Sequence, residues 1–252
     1  MCGRFAINSS PDAMREFFGY DEALDFPPRY NIAPSLPVPV IRAERRGRAA
    51  PTRHVLLMRW GFLPGFVKDP KQYPLVFNAR SESLFSKASF KNAMRRRRCL
   101  FMADAFYEWR HEVKGKPGRP YLLHRRDREP LAFAGLWETW MGPHGEELDT
   151  ACIVTTAANG ATAALHPRLP AIIEKKHFDL WLDLDETSTE KAYGLLHPPE
   201  NDVLDFYEIG LAVNKAGHDA ADIQVRVTPE ERRAREQSVS ELPNEPVQGS
   251  LF

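Results

Sequence analysis

The reactive chemistry this chain could carry starts at its second residue. Once the methionine before it is removed, Cys2 holds a free α-amine and a thiol on one carbon framework. The amine titrates near neutrality and the thiol only a little above it. Such a pair can attack one aldehyde twice: the amine forms an imine, and the thiol closes it into a five-membered ring. Glu108 stands between Tyr107 and Trp109, and apolar surroundings raise a carboxyl pKa until it exchanges protons near neutral pH. His166, in the run His-Pro-Arg-Leu-Pro, is a proton carrier held by rigid backbone. Each also has an ordinary structural reading: a small residue after a start methionine, a strand residue facing water, a surface-loop histidine.

Stepping along the chain gives the elements that must position these groups. Residues 11–19 suit a short helix, with Pro11 and Asp12 in its first turn and Gly19 as its stop. The prolines at 27, 28, 34, 37 and 39 exclude a helix in the next passage. Strands are expected at 38–42 and 54–60, joined by an exposed basic connection from Arg42 to Arg53. The second strand leads into Trp60-Gly61-Phe62-Leu63-Pro64-Gly65-Phe66, which predicts a rigid, projecting apolar loop able to stack on bases. A helix is expected over 81–94, closed by Arg95–Arg98, whose charges suit a helix C-terminus. Cys99–Ala103 reads as a buried strand that delivers Asp104–Trp109, and 112–119 as a hairpin turn. Further strands follow at 120–124, 131–137, 150–156 and near 204–213. Helices are expected at 174–184 and 187–195, and Pro229–Glu236 is charged and helix-prone. Apolar content then drops, so 237–252 reads as a disordered tail.

Composition is that of a globular protein, with 43% hydrophobic and 27% charged residues. No run approaches the ~20 apolar residues a membrane helix needs, and no secretory signal pattern opens the chain. Three cysteines without metal-ligand spacing fit a reducing compartment. Net charge is zero but uneven. Residues 1–130 hold 25 Lys and Arg against 13 Asp and Glu, a balance of +12, and the remainder carries −12. This asymmetry suggests a polyanion-binding face from the first half, the alternative being charges that interleave and cancel.

Six stretches together resemble the SRAP (SOS-response-associated peptidase) family, known as sensors of abasic sites in DNA. They are Met1–Phe5, Arg29–Pro34, Trp60–Phe66, Asn78–Glu82, Phe106–Trp109 and His166–Pro170, in one order over roughly residues 1–225. The resemblance implies a single α+β domain (1–236) on a curved, barrel-like, mainly antiparallel sheet flanked by helices. It implies no metal or cofactor, and a thiazolidine crosslink between Cys2 and the open-chain aldehyde of an abasic site. Glu108 is then the acid–base group, His166 assists ring opening and reversal, and Asn78 orients the amine and the sugar. Arg4, Arg80 and Arg168 are implied phosphate contacts, with Pro34 and Thr155 lining the sugar. Trp60, Phe62 and Leu63 are implied to stack on a duplex end, favouring single strands and recessed junctions. Ala105 and Leu169 depart from the glycine and methionine common in the family, which bears on fine geometry rather than chemistry.

Two other activities fit the same residues: a cysteine peptidase built on Cys2 and His166, acting on its own leader or on other proteins, and a non-covalent reader of modified DNA. Gln248-Gly249-Ser250-Leu251-Phe252 resembles the bacterial sliding-clamp-binding pentapeptide, which makes Gln248, Leu251 and Phe252 candidate clamp contacts. A monomer in the cytoplasm, associated with the nucleoid when on DNA, is the expected state.

Overall fold

The strand that begins at Phe5 decides where Cys2 lies, because its aromatic ring is the plug of the core. The computed structural model describes residues 2–45, 47, 51–112 and 117–233. The tail 237–252, with the clamp-like pentapeptide, and residues 113–116 of the expected hairpin turn fall outside them. In chain order the strands are β1 (Phe5–Ile7), β2 (Arg29–Ile32), β3 (Pro37–Glu44), β4 (Thr52–Trp60), β5 (Asn78–Arg80), β6 (Arg98–Ala103), β7 (Ala105–Arg110), β8 (Arg119–Arg125), β9 (Leu131–Met141), β10 (Glu147–Ala157), β11 (Arg168–Pro170) and β12 (Leu204–Glu208). The helices are α1 (Pro11–Phe18), α2 (Ala88–Arg96), α3 (Phe178–Leu182) and α4 (Thr189–Tyr193), and residues 229–233 are also helical.

Five strands close on themselves in the order β10-β4-β3-β6-β9 and back to β10. All neighbours are antiparallel except β4 and β10, which run parallel with Ala151 opposite Trp60. β5 continues the parallel pairing further along β10, and β11 lies antiparallel to the end of β10. A second sheet, β12-β8-β7-β1-β2, is antiparallel throughout. Phe5 joins the two sheets. Its ring meets Trp60 at 5.0 Å and Phe133 at 6.2 Å, edge-on, and Phe106 meets Phe133 at 5.6 Å. Edge-to-face aromatic pairs at these separations add to the burial energy of the rings themselves. The expected α+β architecture is what forms, and no helix of the described residues is long and apolar enough to cross a membrane.

α1 forms as its sequence dictates. Ser10 accepts from the Ala13 amide, Pro11 occupies the first turn, and Gly19 closes the helix at φ 66° with its amide on Arg15 O. Elsewhere the expected elements need correction. The helix over 81–94 is a 3-10 turn at Ser81–Ser83 followed by the later α2. Ser83 Oγ donates to Arg80 O and Ser86 Oγ to Ser83 O, so the serines offer the backbone another partner. The helix over 174–184 splits into a 3-10 turn at Lys175–His177 and the short α3. Three basic groups in succession oppose a helix N-terminus there. Beyond α3, buried Arg98 takes the carbonyls of Trp181 (2.5 Å) and Asp183 (2.8 Å). The last strand ends at Glu208; Gly210 and a 3-10 turn at Leu211–Asn214 replace its second half.

Candidate active site

Phe5 is fixed in the core, so the three residues before it run along the edge where the second sheet meets the barrel. β1 pairs with β7 with Phe5 opposite Phe106 and Ala6 opposite Ala105. The Tyr107 amide continues that ladder by donating to Arg4 O at 3.0 Å. Extending the register brings Gly3 opposite Glu108 and sets Cys2 beside it. From the barrel side, Asn78 at the head of β5 donates its Nδ2 to the Cys2 carbonyl at 2.8 Å. That bond leaves Asn78 Oδ1, a buried acceptor, with no hydrogen-bond partner among the described residues. It can take an amine or hydroxyl donor that arrives at Cys2.

Burial sets the electrostatics. The Cys2 thiol has no solvent exposure. Desolvation first, and the charge of Glu108 second, push its pKa well up, so the sulfur is a protonated thiol at neutral pH. Glu108 is 2% exposed, and burial raises its carboxyl from an ordinary 4.5 to about 7. The aromatic neighbours named from the sequence are not what raises it. Strand alternation turns Tyr107 and Trp109 to the opposite face of β7. There Tyr107 Oη donates to Tyr30 O at 2.6 Å and Trp109 Nε1 to Asn214 Oδ1 at 2.8 Å. Glu108 is desolvated by the Phe106 side of the strand, not by its neighbours in sequence.

His166 arrives from the β10–β11 turn. Its Nδ1 lies 3.0 Å from both the amide and the carbonyl of Arg168, so the ring has a backbone partner in either tautomer. Burial lowers its pKa below that of a free histidine, and the Arg168 carbonyl works partly against this. The ring is therefore mainly neutral at pH 7. Thr155, wholly buried on β10, sits opposite Arg80 of β5 and Pro170 of β11. Arg168 donates to the Thr155 carbonyl at 2.5 Å. Cys2 is thus joined to His166 by way of Asn78, strand β5 to Arg80, Thr155 and Arg168. Pro34 is half-buried, two residues past Ile32, the partner of Phe5.

The implied DNA contacts fare unevenly. Arg80 is exposed and has no ion-pair partner among the described residues. Arg4 instead braces the fold, donating to Asn31 Oδ1 at 2.7 Å and Val213 O at 3.0 Å. The projecting loop is corrected: Trp60, Phe62 and Leu63 are 0%, 1% and 3% exposed. Gly61 turns the chain inward, at φ 154° and with Leu75 packed where a Cβ would stand. Trp60 Nε1 then donates to Phe77 O at 2.9 Å. The exposed apolar groups here are Phe66 (62%), the last residue of the expected loop, and Leu75 (43%), to which the sequence assigned no role.

The basic first half is also less of a face than its count suggests. Arg45 pairs with Asp183, Arg53 with Asp179, Arg97 with Glu138 and Arg125 with Glu174, so acids of the second half offset part of its charge. What remains exposed without ion pairs among the described residues includes Arg80, Lys87, Lys91, Arg95 and Arg96. These last follow β5 and run onto α2. Sequence reasoning also missed Glu82, which binds Arg168. Its signal was present in the Asn78–Glu82 motif, where it went unassigned. No cluster of three or more His, Cys, Asp or Glu among the described residues could hold a metal ion.

Comparison with known proteins places this geometry. The family model described as SOS response associated peptidase (SRAP) matches residues 1–216. The abasic site processing protein YoqW of Bacillus subtilis (strain 168) is 32% identical over 226 residues, covering 88% of this chain and 98% of that protein. The abasic site processing protein HMCES of Gallus gallus is 28% identical over 284 residues, covering 96% and 83%. Among solved structures, a protein from Bacteroides thetaiotaomicron superposes with a TM-score of 0.80 at 23% identity, over 90% of this chain and 100% of that one. One from Bordetella bronchiseptica gives 0.71 at 25% identity, over 83% and 100%.

Proposed function

This chain belongs to the SRAP family, and we propose that it processes abasic sites in DNA by trapping their open-chain aldehyde on Cys2. Relatives that align over nearly their whole length are named as abasic site processing proteins, which supports the substrate. The observation that carries the chemistry is the buried pairing of Cys2 with a carboxyl whose pKa is about 7.

The steps follow from these groups. Removal of Met1 frees the Cys2 amine beside Asn78 Oδ1, which accepts its hydrogen bond. The amine adds to the aldehyde carbon, and the resulting hydroxyl leaves as water with a proton from Glu108. The thiol then adds to the imine carbon. A C–S bond forms, the S–H proton passes by way of the Glu108 carboxylate to the ring nitrogen, and a thiazolidine remains. His166, neutral and braced by Arg168, takes the sugar hydroxyl proton during ring opening, and in reverse assists release. Arg80 and the α2 cations hold phosphates. Phe66 and Leu75 meet the bases, which would favour single strands and recessed junctions. The protein acts as a monomer in the cytoplasm.

A peptidase of papain type needs a thiolate activated by histidine. Here burial and the Glu108 charge drive the thiol the other way, so the amine is the first nucleophile. The test is incubation with single-stranded DNA containing one abasic site, followed by a denaturing gel. A shifted band that Cys2→Ala removes is expected. No band surviving denaturation, or an equal band from Cys2→Ala, would overturn the reading.

A further inference from the structure

Arg168 is implied as a phosphate contact, yet its guanidinium is already occupied by a carboxylate. Nη1 donates to Glu82 Oε1 at 2.5 Å and Nη2 to Glu82 Oε2 at 3.0 Å, a bidentate fork. Nη2 is also held by the Thr155 carbonyl at 2.5 Å, and Thr155 Oγ1 lies at 3.3 Å. The two partners differ in solvent access: the Arg168 side chain is 16% exposed and that of Glu82 58%. The arginine is therefore anchored in the protein by Thr155, and its carboxylate partner covers it from the solvent side. The Arg168 hydrogen bond and, after it, the Arg168 charge hold the Glu82 carboxyl below the usual range. Glu82 is thus ionised at neutral pH.

A planar guanidinium binds carboxylate and phosphate with the same two-pronged geometry. We propose that Glu82 is a placeholder for a DNA phosphate on Arg168. In the free protein it keeps the fork aimed outward and electrically satisfied, and a backbone phosphate of the bound strand displaces it. This assignment rests on the DNA-binding part of the proposed function and adds a positioning residue to it. The consequence reaches the reaction site, because the Arg168 amide and carbonyl are the two partners of His166 Nδ1. The exchange of a carboxylate for a phosphate therefore takes place on the side chain of the same residue whose backbone brackets His166. Glu82 also sets a threshold for binding. DNA that delivers a phosphate to this position gains the fork, whereas DNA that does not leaves it on the carboxylate.

The two alternatives differ in whether the gain from removing Glu82 depends on Arg168. If Glu82 is a permanent strut and no phosphate reaches Arg168, removing its charge gives at most a general electrostatic gain that does not depend on Arg168. If it is a placeholder, removing it frees the fork, and the gain needs Arg168. The measurement is non-covalent binding of a fluorescent, undamaged single-stranded oligonucleotide at several salt concentrations. It uses the wild-type chain, Glu82→Gln, Arg168→Gln and the double variant. Glutamine keeps the shape of Glu82 and removes the charged fork of Arg168, and thermal melts verify folding. Glu82→Gln should bind about fivefold tighter than wild type, the scale of one partly exposed ion pair. That gain should vanish in the Arg168→Gln background. Arg168→Gln alone should weaken binding and flatten the salt dependence by about one phosphate contact. An equal gain from Glu82→Gln with or without Arg168, or weaker binding by a folded Glu82→Gln, would sink the placeholder. If the wild-type chain neither binds the oligonucleotide nor crosslinks an abasic one, it is the proposed function that fails. Normal binding and crosslinking without coupling between the two residues removes this inference alone.

Discussion

Replacing Glu108 with glutamine should make the protein more stable and its chemistry worse, with the stability gain appearing only toward alkaline pH. In the fold the carboxyl is 2% exposed and burial raises its pKa from 4.5 to about 7. The folded state therefore holds a proton on this group across a window in which the unfolded chain has lost it. The contribution to stability is fully present below pH 4.5, declines as pH rises between 4.5 and 7, and is absent above the folded value. At about 1.4 kcal/mol per pH unit, the window corresponds to roughly 3 kcal/mol, to within about a factor of two. Glutamine matches the protonated carboxyl in shape and does not titrate. Urea unfolding of wild type and Glu108→Gln at pH values from 5 to 8.5 reads the difference directly. The two proteins should converge at the acid end, and Glu108→Gln should pull ahead by about 3 kcal/mol near pH 8.5. Crosslinking of an abasic oligonucleotide should meanwhile slow by about 10²-fold or more, the usual scale for losing a general acid–base group. A constant offset at every pH would mean that Glu108 does not titrate in this window. A variant less stable at pH 8.5 than wild type would mean that the ionised carboxylate is stabilised here, and the burial argument would be wrong.

Three further outcomes follow. Trp60→Ala should destabilise the fold by about 3–5 kcal/mol, since a fully buried ring and its bond to Phe77 O are lost; a melt unchanged from wild type would show that the ring instead projects to stack on DNA. The His166 ring, followed by NMR, should titrate below 6.5 because burial disfavours its charge, so crosslinking that needs the neutral ring should persist to mildly acid pH. A midpoint above 6.5 would refute this. If the C-terminal pentapeptide binds the sliding clamp, deletion of 248–252 should abolish clamp binding in a fluorescence titration and leave crosslinking unchanged; equal clamp affinity in the truncated chain removes the assignment.

How far the sequence revealed this arrangement depended on whether a feature was local. α1 could be read whole, because Ser10, Pro11 and Gly19 punctuate it within nine residues. Cys2, Asn78, Glu108 and His166 could be singled out from motifs, and in the fold Asn78 donates to the Cys2 carbonyl. Side-chain direction could not. Trp60, Phe62 and Leu63 look like a projecting wedge because glycines and proline flank them, yet Gly61 folds them into the core. The basic first half looked like a binding face because Asp179, Asp183, Glu138 and Glu174, which offset part of its charge, lie 41 to 138 residues away in sequence. Barrel closure rests on the parallel pairing of β4 with β10, a contact over some 90 residues that no local pattern announces.

Burial of Cys2 looks like an obstacle to a nucleophile, and for a thiolate peptidase it would be one. In the aminothiol reaction proposed above it would set the order of events. A thiol with a raised pKa stays protonated, so it neither oxidises readily nor attacks first. The amine, once Met1 is gone, needs only to lose its own proton, and near pH 7 the Glu108 carboxylate is half available to take it. On that proposed route the balance reverses after imine formation. The carbon is now strongly electrophilic, Glu108 has surrendered its proton to departing water, and a carboxylate beside a neutral thiol is the base that ring closure requires. One carboxyl tuned to about 7 can thus serve both half-reactions, as an acid in the first and a base in the second. The same site with Glu108 at an ordinary 4.5 would have the base but not the acid, and would stall at the carbinolamine. The Glu108→Gln variant has neither, and the comparison with Glu108→Asp separates the two roles. Aspartate is one methylene shorter and buried in the same pocket, so it should keep the raised pKa but slow both steps. A recovered stability profile with crosslinking between those of wild type and Glu108→Gln is the expected result, and activity equal to that of Glu108→Gln would show that position rather than pKa limits the reaction.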